Sequence, residues 1–284
     1  MPTHVSRLMR MSALCCFLLV ALGLISSRRS FAQIAGNVLI SPTRLVFEGP
    51  KRSAVVSMIN IGDSPVAYTI SLIHERMTED GRLEVITTPS VDERFADDLI
   101  RIVPRQVILQ PSVAQRVRVQ LALPANLSDG EYRSHLIFRP LTDTRHVSEE
   151  AGSPTSGAQP GDRSRLTIPV IVRKGKTAAT VAIDDLAIQN GPQSMTLTGV
   201  LVRSGNCSVY GDIDIQLTEQ GGAHRSIGLL NGVAVYTPNR ERKFSVTLSI
   251  PPGTQIPHGE LRVQYRRPQT DGESLLAEST MAVP

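Results

Sequence analysis

The chain has 284 residues, with 30 Lys and Arg against 26 Asp and Glu, three cysteines and no tryptophan. Arg7, Arg10, Arg28 and Arg29 lie in the first 32 residues, where there is no acid, so the remaining 252 residues carry 26 cations against 26 acids. That balance disfavours a nucleic-acid partner. If Cys15 and Cys16 leave with the first segment, Cys207 has no partner for an intramolecular disulfide, and stability has to come from burial.

Residues 1–32 read as a cleaved secretory signal. Arg7 and Arg10 precede an apolar run from Met11 to Ile25, and Ser30-Phe31-Ala32 puts small residues where a signal peptidase reads. The run is about 15 residues long, short of the ~20 that a bilayer-spanning helix needs, and no later stretch is longer, so no membrane insertion is expected. Leu14 before Cys15, and Cys15 before Cys16, do not suit a lipobox, which wants a small side chain there. Gln33 is the expected mature N-terminus.

From Val38 onward, short runs rich in Val, Ile, Leu and Thr alternate with Gly, Pro, Asp and Asn, the pattern of an all-β sandwich. Strands are predicted over 38–47, 54–61, 67–73, 83–87, 107–109, 115–121, 132–138 and 166–172. These suffice for one seven-stranded sandwich with an extra edge segment. Residues 143–165 are dominated by Ser, Gly, Pro, Glu and Asp, too polar to offset the entropy of ordering them, and are expected to form a mobile loop. A second set over 180–188, 195–202, 212–217, 232–236, 243–250, 260–265 and 275–283 makes a second sandwich. The expected division is a signal over 1–32, a first domain over 33–175 that includes the loop, and a second over 176–284.

Residues that would carry chemistry are missing. The six histidines are scattered, and Thr78 stands where a zincin-like start at His74-Glu75 would need its second His. No nucleophile elbow or phosphate loop is present. Neither an enzyme, a metal site, a cofactor nor a small-molecule substrate is expected. Cys207, between Asn206 and Ser208, has no sequence neighbour to depress its pKa and reads as a small, buried or half-exposed side chain.

Four segments point elsewhere: VLISPTRLVFEG at 38–49, ILQPSVAQRVRVQLAL at 108–123, GEYRSHLIF at 130–138 and IPVIVR at 168–173. Through them the chain resembles the periplasmic chaperones of pilus subunits, the chaperone-usher family. The likeness covers the first domain well, and the second only in strand character and length. It implies two immunoglobulin-like β-sandwiches in tandem, a periplasmic location, pilus or surface-fibre subunits and an outer-membrane usher as partners, and binding by adding a strand to the subunit.

By motif, the family's arginine for the subunit's C-terminal carboxylate falls on Arg44. Its planar fork suits that task, though a solvated strand arginine would look the same in sequence. The family's second anchor, a lysine, falls on Pro169, a departure. If the strand at 132–138 pairs antiparallel with the last strand, Glu131 opposes Arg173, while Arg133 and His135 lie beside Ile171 and Pro169. Either Arg133 or His135 would then replace the lysine, unless both belong to a polar face. Glu131 and Arg173 match an interdomain salt bridge; its third member, an acid of the second domain, has no counterpart, and His258 lies roughly at that place. Leu166, Ile168, Val170 and Val172 have the spacing of a donor strand, or alternatively of residues facing their own core. The competing function is a secreted tandem β-sandwich adhesion or envelope module.

Overall fold

The computed structural model describes residues 33–35, 37–141, 166–191, 194–219, 222, 224–251, 256–268 and 271–283. The expected signal over 1–32 and the polar loop over 143–165 lie outside the described residues. The described chain is two β-sandwiches in tandem, with a 3-10 turn at Asp97–Leu99.

In the first sandwich, β1 (Gln33–Ala35), β2 (Val38–Ser41), β4 (Ser53–Asn60), β8 (Ile100–Val103) and β10 (Ala114–Leu121) form a sheet in the order β1-β2-β4-β10-β8. Facing it are β3 (Leu45–Phe47), β5 (Val66–Ile73), β9 (Gln106–Leu109), β11 (Gly130–Pro140) and β12 (Leu166–Lys174), in the order β3-β12-β11-β5-β9. Two-residue periodicity sets which face is buried: Val117, Val119 and Leu121 of β10 point inward, whereas Arg116, Arg118 and Gln120 stay exposed. The core gathers Ile40, Phe47, Val56, Met58, Ile70, Leu109, Leu136 and Phe138.

One predicted strand, 38–47, is two. β2 pairs with β4 up to Ser41, and after Pro42 the chain changes sheets, so that β3 lies parallel to β12. Proline has no amide hydrogen for a ladder, which is why the first pairing stops there. A small hairpin of β6 (Glu75–Met77) and β7 (Leu83–Val85) branches off after β5.

The second sandwich stacks β13 (Ala179–Asn190), β14 (Met195–Gly205) and β17 (Glu241–Thr247) against β15 (Val209–Glu219), β16 (His224–Val235), β18 (Gly259–Arg267) and β19 (Ser274–Val283). Its core holds Leu197, Leu201, Ile213, Ile215, Leu217, Phe244, Val263 and Tyr265. The Tyr265 hydroxyl donates to the Val233 carbonyl at 2.7 Å, which satisfies the single polar atom that this ring buries. Between β12 and β13, Gly175 has φ +67°, and a Cβ there would overlap the Asp129 carboxylate.

Candidate functional site

The two sandwiches meet through a third apolar cluster of Met77, Ile171, Ala234 and Tyr236, with Val46, Leu83 and Tyr210 packed against it. Around it lie the polar residues singled out in the sequence. β11 and β12 pair in the expected register: Glu131 opposes Arg173, Arg133 opposes Ile171 and His135 opposes Pro169. Leu136 and Phe138 belong to the first core, and alternation turns Glu131, Arg133 and His135 to the other face of the sheet.

Glu131, with a fully buried side chain, accepts from Arg173 Nε at 3.0 Å, from the Ser208 amide at 2.9 Å, from the Ser208 hydroxyl, and from Thr237 Oγ1 at 3.3 Å. Arg173 also donates through Nη2 to the Ser208 carbonyl at 2.8 Å and pairs with Glu48 at 3.4 Å. Glu131 and Arg173 are thus an ion pair. Where an acid of the second domain was missing, Ser208 and Thr237 supply neutral donors, and His258 is not among the partners of Glu131. The buried Arg203 holds these loops in place by donating to the carbonyls of Gly205, Cys207 and Asn239 at 2.9–3.0 Å. Cys207 is buried, and burial pushes its thiol pKa up.

Arg133 stacks over the Tyr236 ring at 4.5 Å and donates to the carbonyls of Glu75 at 3.0 Å and Thr237 at 3.2 Å. Burial lowers its pKa. His135 is fully buried, 3.5 Å from the Glu75 carboxylate, and its ring edge meets Tyr236. Neither ring nitrogen makes a hydrogen bond among the described residues, and burial, followed by the Arg133 charge, pulls the imidazole pKa down to about 3. The ring is neutral at physiological pH and bears no charge for an anion.

Arg44 lies between β2 and β3, one residue before β3 begins to pair with β12 at Leu45 and Val170. Its guanidinium packs over Tyr210 at 4.5 Å and approaches the half-exposed Asp271 at 3.5 Å, while Nε, buried, has no hydrogen-bond partner among the described residues. Beyond that point, over Leu166–Pro169, the same edge of β12 pairs with no described strand. Among the described residues, Arg44 thus marks the place where the edge of β12 opens. Leu166, Ile168, Val170 and Val172 all lie in the first core, between 0 and 4% exposed.

Several contributors were not singled out in the sequence. Tyr210 and Tyr236 are two of only five tyrosines, and in so aromatic-poor a chain that scarcity is the one signal that would have drawn attention to them. The hairpin of β6 and β7 docks through its main chain: Asn239 Nδ2 donates to the Met77 carbonyl at 2.6 Å and the Lys243 amide to the Glu79 carbonyl at 2.8 Å. His74, at the end of β5, stacks on Phe95 and bonds Asp97, a local structural contact. Among the described residues no group of three or more His, Cys, Asp or Glu could hold a metal ion.

No protein-family model matches the sequence, and no curated protein matches it. Among solved structures, the chain is similar to the CupB2 chaperone of Pseudomonas aeruginosa, at 12% identity, covering 89% of this chain and 98% of that one with a TM-score of 0.38. It is likewise similar to a chain of the CsuC-CsuE chaperone-tip adhesion subunit complex of Acinetobacter baumannii, at 14% identity, 85% and 97% coverage and a TM-score of 0.41. A third, a chain of the Salmonella enterica SafA pilin complex with the SafB chaperone, is 12% identical, with 88% and 98% coverage and a TM-score of 0.37.

Proposed function

We propose that the chain is a periplasmic chaperone of pilus or surface-fibre subunits that caps a subunit's open groove with the edge of β12 and hands it to an outer-membrane usher. The observation that carries this reading is the position of Arg44. A strand added along Leu166–Pro169, parallel to β12 and in line with β3, would end with its terminal carboxylate at the guanidinium. An arginine with a spare, partly desolvated donor on an aromatic face suits a carboxylate. Arg133, whose Nη1 and Nη2 already meet main-chain carbonyls, would add positive potential more than a direct bond, and neutral His135 would shape the wall. In this reading residues 33–175 bind the subunit, 176–284 buttress the cleft, and Glu131 with Arg173 holds the two together.

A second reading, a tandem-sandwich envelope module, draws on the burial of Leu166, Ile168, Val170 and Val172 in their own core. Affinity purification of the tagged protein from its own periplasm, wild type beside Arg44→Ala, with the fibre genes expressed, separates the two. A small β-rich secreted protein that follows the wild type and is lost with Arg44→Ala is the expected result. Retention by both variants would reject the anchor, and a wild-type protein that comes down alone would favour the envelope module.

A further inference from the structure

The outer face of the sheet β1-β2-β4-β10-β8 is basic. The strands of this sheet, QIA, VLIS, SAVVSMIN, IRIV and AQRVRVQL, contain three arginines and neither an acid nor an aromatic residue. Arg101, Arg116 and Arg118 are all exposed on the face opposite the core, and Arg105, also exposed, lies two residues after the end of β8. In register, Arg118 lies between Val55 and Val103, 45% and 57% exposed, and Gln120 lies between Ser53 and Arg101. The side chains of the four arginines make no hydrogen bond or ion pair among the described residues. Their charge is therefore uncompensated among the described residues, in a chain whose remaining 252 residues are formally neutral.

We infer that this face docks on an anionic phospholipid bilayer, lying on the surface without insertion. Three features select that occupant. The face is a broad sheet surface, complementary in charge to a planar array of phosphates, and each arginine near such a surface adds to the attraction. It has no aromatic residue to serve as the buried anchor that protein interfaces concentrate at their centre. With the periplasmic location of the proposed function, on which this inference rests, the chain meets bilayers on both sides of its compartment and does not meet nucleic acid. The two exposed valines rest among the headgroups with the guanidiniums. The edge of β12 over Leu166–Pro169 belongs to the facing sheet, and Arg44 directly precedes β3 of that sheet, so docking leaves them accessible.

The test is co-sedimentation of residues 33–284, whose two cores, among the described residues, draw on residues after 37, with vesicles of phosphatidylglycerol and phosphatidylethanolamine or of phosphatidylcholine alone. Binding to the anionic vesicles only, weakening as salt rises, is expected. Arg116→Glu with Arg118→Glu should weaken it by roughly 25-fold or more, at about fivefold per charge lost, with an unchanged urea midpoint confirming the fold; Arg44→Ala should bind as wild type. Equal binding to both vesicle types, no binding at low salt, or full retention by the double charge reversal would overturn the inference. So would salt-sensitive capture by an acidic protein or by duplex DNA without any vesicle binding.

Discussion

Glu131 and Arg44 stand at the same seam between the sandwiches and are treated in opposite ways. Glu131 is saturated: Arg173, the main chain and hydroxyl of Ser208, and Thr237 occupy its two oxygens. Arg44 has an aromatic platform, one distant carboxylate and an unused Nε. A buried charge with every partner supplied is a joint, whereas one left with donors to spare is free to meet a ligand. The contrast separates what holds the molecule together from what it has to offer.

Breaking the saturated side should cost most. Glu131→Ala strands the guanidinium of Arg173 and the amide of Ser208 at a buried seam, and urea unfolding should show a loss of about 3 kcal/mol. Next comes His135. Its imidazole titrates near 6.5 when unfolded and at about 3 when folded, so the unfolded chain binds the extra proton between those values. The stability it contributes is complete above pH 6.5 and is lost progressively as pH falls toward 3, by about 2 kcal/mol between pH 7 and pH 5. His135→Gln should flatten that part of a stability-pH curve; an unchanged curve would mean that the ring takes up its proton in the fold as readily as in the unfolded chain.

On the unsaturated side, Arg44→Ala should change the urea midpoint little, by less than ~1 kcal/mol, because its contacts are one stacking and one long, half-exposed ion pair. A large loss there would make Arg44 a second joint and remove the contrast. Smallest of all, Lys243→Ala at the docked hairpin breaks a pair with Glu79 that is exposed on both sides and should leave the midpoint where it was. The main-chain bond from residue 243 to Glu79 survives that change.

The register of β11 against β12 was legible through the family resemblance, which placed Glu131 opposite Arg173; the two-residue period then carried Arg133 and His135 to the same face. The third partner was not legible, since the search was for an acid, and Ser208 and Thr237 solve the same problem with neutral groups that leave no charge signature. Val38 to Phe47 read as one strand because its apolar pattern runs almost straight through Pro42, and only pairing partners reveal a change of sheet. β6, with the sequence ERM, has too few residues and too much polarity to read as a strand; Met77 becomes part of the seam only because the hairpin folds onto Tyr236. Alternation along β12 picked out Leu166, Ile168, Val170 and Val172 as a set, but a period of two cannot say which of two faces meets the core.

At the joint, two of the links that Ser208 makes, from its amide to Glu131 and from Arg173 to its carbonyl, run through the peptide backbone. Proline apart, the peptide group offers the same donor and acceptor whatever residue occupies a position. The orientation of the two sandwiches is thereby written partly in a script that no substitution at residue 208 but proline can edit, and Ser208→Ala would erase the hydroxyl bonds while keeping both backbone links. Such a joint tolerates sequence drift on the side of the second sandwich, leaving the surfaces of that sandwich open to change without altering the angle at which it supports the first.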